Sequence, residues 1–197
     1  MERKSEIKRK TTETDITLRV ILDSTQESAI DSGVPFFDHM LMLLSKHGHL
    51  YLDLVCIGDT MVDDHHSVED IGICLGRAFK KALGDKAGIV RFGDASIPMD
   101  DALTMVALDL SGRSFFHLEG VDLRGSIKGY SEELTIEFLR SFAFNAELNL
   151  HVKIFYGENR HHIHESIFKA LGVALYRAFS IDKKRADEIP STKGTIV

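Results

Sequence analysis

The chain has 197 residues, 44% apolar and 27% charged, with a formal net charge of −6. That is enough for a full core, as one domain or two fused small ones, and the acidic balance argues against a general nucleic-acid surface. With 15 Gly but only 3 Pro, disorder is not indicated.

Two cysteines, Cys56 and Cys74, lie in apolar stretches and read as buried free thiols in a reducing compartment. The start, Met1-Glu2-Arg3-Lys4-Ser5-Glu6, lacks the apolar segment of a signal peptide. No apolar run approaches the ~20 residues needed to span a bilayer. The expectation is a cytoplasmic protein with no membrane partner.

Residues 1–10 read as a charged lead-in. Asp15 to Leu22 alternates apolar and polar and predicts a strand, followed by a polar loop from Ser24 to Gly33. Pro35 opens a helix at its first turn, and the helix ends near Lys46-His47-Gly48, where basic residues and Gly are favoured. Leu50 to Ile57 is a strand, and a helix starting at His65 runs through Leu83. Short strands are expected around Ile89–Phe92, Ala95–Met99, Leu103–Leu110 and Ser114–Leu118, then a Gly-containing loop over 120–129. Glu132 to Asn145 reads as a helix, Leu148 to Phe155 as a strand, and a last helix runs from the second His doublet through Phe179 into a polar tail.

One short pattern occurs twice: His65-His66-Ser67-Val68-Glu69 and His161-His162-Ile163-His164-Glu165, with starts 96 residues apart. On a helix the first His and the Glu, at i and i+4, stand one above the other, and the second His is a neighbour of the Glu at i+3. Adjacent histidines point about 100° apart, so the pair can serve two different ions. Imidazole plus carboxylate suits a divalent first-row metal. A lone HHxxE is most simply solvated surface; two copies, each opening an apolar-periodic helix, are not.

The doublets belong to a larger repeat. An offset of 96 pairs Ile71, Leu75 and Gly76 with Ile167, Leu171 and Gly172. An offset of 98 pairs Leu50-Leu52-Leu54 with Leu148-Leu150-Val152, and a weaker match at 86 pairs Val20-Leu22-Asp23 with Val106-Leu108-Asp109. The chain therefore reads as one α+β domain over 1–197 built from repeated halves, 1–93 and 94–197. At the 98 offset His39 falls on Glu137, so if His39 is a ligand, Glu137 is its pseudo-symmetric partner. Taken singly, one is more simply a core or interface histidine and the other a solvated acid.

Phe36-Phe37-Asp38-His39-Met40-Leu41, the two doublets, Gly88 through Phe92, Leu108-Asp109-Leu110-Ser111-Gly112-Arg113 and the tail Ser191-Thr192-Lys193-Gly194 together resemble the imidazoleglycerol-phosphate dehydratase family of histidine biosynthesis. The resemblance covers nearly the whole chain, whose length leaves no room for the histidinol-phosphatase domain of some bacterial relatives. It implies a duplicated left-handed βαβ-type module resembling domain 2 of ribosomal protein S5, each half a four-stranded sheet with two helices. It implies trimers building a 24-subunit shell, with two manganese ions per active site at subunit interfaces. The ligands it implies are His39, His65, His66, Glu69, His161, His162 and Glu165, with the eighth position on Glu137, where plant relatives have His. Carboxylate oxygen suits Mn, so one site would carry two His and two Glu.

The implied reaction is conversion of D-erythro-imidazole glycerol phosphate to imidazole acetol phosphate and water, with the metal-bound imidazole ring as electron sink. The C2 hydrogen and the C3 hydroxyl leave, and the enol becomes a ketone. Glu13 matches the family's acid–base glutamate, and His47 and Lys169 match substrate-contact positions. Arg91, Arg113, Ser191 and Lys193 are the expected phosphate set. Apart from the resemblance these would be an ordinary exposed acid, a helix-end cation and surface cations. Two other classes fit a His/Glu cluster: a dinuclear phosphate-ester hydrolase, with Asp63-Asp64 the modest bridging candidate, and a metal-storage or RNA-binding module. The acidic charge opposes RNA binding, and an anion-binding set has no purpose in metal storage.

Overall fold

The computed structural model describes residues 2–196. Its first half runs β1 (Lys4–Lys10), β2 (Thr14–Ile21), β3 (Ala29–Asp31), α1 (Pro35–His47), β4 (Tyr51–Gly58) and α2 (His65–Leu83). The second runs β5 (Phe92–Met99), β6 (Ala102–Asp109), β7 (Phe115–Glu119), β8 (Ser126–Ile127), β9 (Tyr130–Ser131), α3 (Glu133–Ala146), β10 (Asn149–Tyr156) and α4 (Arg160–Phe179). The two four-stranded sheets have matching orders, β1-β2-β4-β3 and β5-β6-β10-β7. In each the third strand lies parallel to the fourth and the other pairs are antiparallel, as expected for a duplicated α+β module.

Sheet register corrects the offset expected for the early strands. Val20 pairs with Leu52, and Leu108 with Leu150. Since Leu52 and Leu150 are equivalent at 98, Val20 corresponds to Leu108, an offset of 88 rather than 86. β1 and β5 and also β3 and β7 obey the same 88. The offset becomes 98 at α3, so the second half carries ten extra residues between β7 and α3, where the β8–β9 ribbon lies.

Other expectations need revision. The charged lead-in is β1, an edge strand whose Ser5 faces inward among Lys and Arg, a pattern that protects edges from mispairing. The 24–33 loop contains β3, and the 120–129 loop contains β8. Ile89–Phe92 is not a strand: Ile89 makes one isolated bridge to Ile181, and β5 starts at Phe92.

Each helix lies on its own sheet and meets a helix of the other half. α2 crosses β1 and β2 and packs on α3, while α4 crosses β5 and β6 and packs on α1. The helices thus form an inner double layer, and the sheets' outer faces point to solvent. Aromatic rings close the seam: Phe37 of α1 lies 5.1 Å from Phe138 of α3, which lies 5.5 Å from Phe168 of α4. Burying each such side chain contributes roughly 1.5–3 kcal/mol.

Both helix pairs cross at a glycine. A Cβ on Gly172 would lie 2.6 Å from the Leu44 carbonyl oxygen, and one on Gly76 would lie 2.7 Å from that of Phe142, the equivalent residue. This crossing brings His39 of α1 to the start of α4.

Candidate functional site

The second doublet opens α4. Asn159 Oδ1 accepts from the backbone N–H of His161 (2.9 Å) and of His162 (3.4 Å), a side-chain cap on the first turn. His161 Nε2 lies 3.3 Å from Glu165 Oε1, and from the facing helix His39 Nε2 lies 2.9 Å from the same oxygen. One donor atom from each of the three residues lies within 4.8 Å of the others, and no other group of three or more His, Cys or carboxylate donors meets that spacing among the described residues. Lys169, one turn on, donates to Glu165 Oε2 at 2.9 Å and reaches Met99 Sδ at 3.0 Å. Burial disfavours ionisation of Glu165, but Lys169, His39 and His161 together outweigh it and hold its carboxyl down at about 2. His47, at the end of α1, has its pKa lowered by burial first and by the Lys169 ammonium second. His39, His47, His161, Glu165 and Lys169 therefore belong to one neighbourhood.

At the first doublet His65 Nε2 stands 3.7 Å from Glu69 Oε2, the expected i,i+4 pair. His66 Nδ1 sits 3.1 and 3.0 Å from the two Asp59 oxygens, and its Nε2 lies 3.7 Å from Glu13 Oε1. The Asp59 hydrogen bond raises the His66 pKa. The second doublet has its counterpart: His162 Nδ1 lies 2.5 Å from Asp101 Oδ1, and Asp101 Oδ2 accepts from the backbone N–H of Glu158 and Asn159 at 2.7 Å each. The Asn159 N–H first and His162 second hold the Asp101 carboxyl well below the usual carboxylate range.

A carboxylate on Nδ1 fixes an imidazole's tautomer and orientation and leaves Nε2 for a ligand. Imidazole and carboxylate donors so arranged fit a divalent transition metal. Asp59 and Asp101 are not among the residues that the sequence singles out. Yet the corrected offset of 88 places Asp101 on Glu13, and both stand just before the second strand of their sheet facing the second His of a doublet.

Glu137 is placed differently from its pseudo-partner His39. Both its oxygens accept from Arg140 Nη1, at 2.6 and 2.7 Å, in an i,i+3 pair on α3.

The expected phosphate set does converge. Arg91, Arg113, Ser191 and Lys193 line one cleft of about 370 Å³, with Ser111, Thr192, Thr195 and Ile196. Arg91, at φ 81°, is already engaged: Nε and Nη2 donate to the two Asp109 oxygens at 2.7 and 3.1 Å, and Nη1 donates to the Pro190 carbonyl at 2.9 Å. It anchors the tail, leaving Arg113 and Lys193 as the cations without an ion-pair partner among the described residues. The cleft shares no lining residue with the His39–His161–Glu165 group.

Comparisons with known proteins agree with this architecture. Residues 32–175 match the family model described as imidazoleglycerol-phosphate dehydratase. The chain is 53% identical over 188 residues to the imidazoleglycerol-phosphate dehydratase of Leptospira biflexa serovar Patoc, covering 95% of each chain. It is 51% identical over 194 residues to that of Desulforudis audaxviator, covering 98% of each. The crystal structure of the dehydratase from Staphylococcus aureus superposes with a TM-score of 0.82 at 34% identity, covering 91% of this chain and 99% of that one. With the doublets, the helix crossing and the repeat in agreement, the chain belongs to the imidazoleglycerol-phosphate dehydratase family.

Proposed function

We propose that the chain is a metal-dependent dehydratase converting D-erythro-imidazole glycerol phosphate to imidazole acetol phosphate and water in L-histidine biosynthesis. The observation that carries this is the His39–His161–Glu165 group, assembled from two halves of a duplicated chain and backed by Lys169. The ligand set is His39, His65, His66, Glu69, His161, His162 and Glu165, with Glu137 in the eighth position once it leaves Arg140. Two manganese ions per site, as Lewis acids, would stabilise negative charge on the substrate's imidazole ring.

The chain's own groups supply the rest. Glu13, beside His66, takes the proton from substrate C2 and protonates the departing C3 hydroxyl or the enol. Arg113 and Lys193 hold the phosphate; Arg91 and Ser191 shape the tail around it. Lys169 keeps Glu165 ionised, and with His47 contacts the substrate chain. The products balance: one hydrogen and one hydroxyl leave as water, and the remaining enol becomes the ketone.

We also read the chain as one cytoplasmic domain of two halves, 1–93 and 94–197, assembling into trimers and a 24-subunit shell. Exposed Val55 and Ile57 on β4, Phe92 on β5, Phe115 on β7 and Phe155 on β10 support burial of the outer sheet faces against other copies. Light scattering with and without chelator tests metal-linked assembly: the mass falls on chelation, and an unchanged mass removes the link.

The activity test is turnover by purified, Mn-loaded protein, followed as ketone and as free phosphate. Ketone without phosphate, lost on chelation and restored by Mn, is the expected result. Phosphate release in its place would assign the site to a hydrolase instead.

A further inference from the structure

The two halves differ at two buried, equivalent positions. At offsets of 96 and 98, His164 of α4 falls on Val68 of α2, and Thr135 of α3 falls on Phe37 of α1. All four are fully buried, so an apolar pair in one half is replaced by a polar pair in the other.

The polar pair has partners. Thr135 Oγ1 lies 2.9 Å from His164 Nδ1 and 2.9 Å from the Tyr130 hydroxyl. His164 Nε2 has no hydrogen-bond partner and stands 3.9 Å from Glu132 Oε1. A lone pair there would face a carboxylate, so electrostatics place the proton on Nε2 and leave Nδ1 as acceptor. Tyr130 O–H then donates to Thr135, and Thr135 O–H donates to His164. Glu132, also fully buried, is bound by Arg160 through Nε at 2.7 Å and through Nη2. Arg160 further donates to the Asp122 carbonyl at 2.6 Å. Asp122 belongs to the longer β7–α3 connection found only in the second half, and Tyr130 and Glu132 close it. Arg160 is the first residue of α4.

Phe36 links this cluster to the donor group. Its ring lies 5.0 Å from Tyr130 and stands edge-on to His164 at 5.7 Å and to His161 at 5.4 Å. It sits one turn before His39 on α1. Buried polar groups cost desolvation, and an apolar pair of like shape is commonly as stable. The first half fills the equivalent positions with buried, apolar Phe37 and Val68, so the repeated module does not itself require polar groups there.

We propose that the Tyr130–Thr135–His164 chain and the Glu132–Arg160 pair form a positioning device, setting where His161 and Glu165 stand relative to His39. The proposal rests on the reading that those three residues bind metal. Tyr130, Glu132, Thr135 and His164 are buried, so the device acts through the residues it positions.

The test is the triple variant Tyr130→Phe/Thr135→Val/His164→Val, which leaves no hydroxyl of the chain without its partner, with His164→Asn, Tyr130→Phe and His161→Ala in parallel. Two quantities are read: Mn²⁺ affinity, from the electron paramagnetic resonance signal of the free ion, and the melting temperature of metal-free protein. In the triple variant the Mn²⁺ dissociation constant rises about tenfold, the lower end for loss of an outer support. Its metal-free melting temperature stays within about 3 °C of the parent. Tyr130→Phe, which removes one hydroxyl, moves affinity the same way by less, and His164→Asn, which keeps a partner for Thr135, recovers most of it. Unchanged affinity in the triple variant, with His161→Ala weakening Mn²⁺ binding, overturns the positioning proposal alone. If His161→Ala also leaves affinity unchanged, the metal reading falls first. A loss of affinity that only follows a loss of metal-free stability overturns the proposal too.

Discussion

The glycine crossings are the point at which a single methyl group tests how the fold builds the site. In Gly172→Ala the new Cβ would stand 2.6 Å from the Leu44 carbonyl oxygen and 2.9 Å from Gly48 N, both backbone atoms. Ordinary contact begins near 3.4 Å, so α1 and α4 must separate by 0.8 Å or shift along each other. Overpacking of this kind costs roughly 1–3 kcal/mol, and a backbone obstacle puts it at the upper end. Alanine regains about 1 kcal/mol of helix propensity over glycine. A net loss of about 2 kcal/mol lowers the melting temperature by about 4–8 °C for a chain of this length. Scanning calorimetry at fixed protein concentration, with chelator present to remove metal linkage, reads it. Gly76→Ala, whose Cβ would meet the Phe142 oxygen at 2.7 Å and Ala146 N at 2.8 Å, should lose a similar amount at the α2–α3 crossing. Of the two, Gly172→Ala alone separates His39 from Glu165 and weakens metal binding there. A melting temperature that rises in either variant, as propensity alone demands, would refute the reasoning.

Asp59→Ala and Asp101→Ala, which release Nδ1 of His66 and His162, should each weaken metal binding about 10–100-fold by calorimetric titration; unchanged affinity would show that neither carboxylate orients a ligand. Arg113→Met should raise KM for the phosphate substrate by about tenfold or more with a smaller change in kcat, as expected for a charge-assisted phosphate contact. Arg91→Met should instead loosen the tail held at Pro190, read as faster exchange of the Ser191 and Gly194 amides beyond it. Burial pushes the Cys56 and Cys74 thiols up to about 11, so at pH 8 only about one in a thousand is ionised. Both should resist a thiol reagent in the folded protein, label faster as pH rises toward 11, and label at once in denaturant; rapid labelling of native protein at pH 8 would contradict their burial.

The helices were legible because their signals are local. Pro35 at the start and His47-Gly48 at the end bracket α1, and both doublets stand at the beginning of long apolar-periodic helices. The duplication was legible for the same reason, since Gly76 and Gly172 mark equivalent crossings. β1 is hard to read from composition because its charges mask two inward-facing residues, Ser5 and Ile7, and pairing to β2 supplies what composition does not. β8 and β9 are two-residue strands, too short to carry a period. An offset of 86 hides the equivalence of Asp101 with Glu13, and only cross-strand register yields 88. Asp59 follows Gly58, a pairing that marks a turn in sequence, yet its carboxylate is turned onto His66. The family resemblance gives His39 as a ligand, the repeat only pairs it with Glu137, and the crossing of α1 with α4 brings it to Glu165. The same logic applied to Glu137 meets Arg140, a neighbour on its own helix that no repeat comparison considers.

The most direct test of the account is where the metal lies. Crystals grown with Mn²⁺ and measured on either side of the manganese absorption edge should give an anomalous peak bonded to His39, His161 and Glu165, at the crossing of α1 and α4. A manganese peak elsewhere, with those three side chains still paired only to one another, would contradict the claim that joining the two halves builds the metal site.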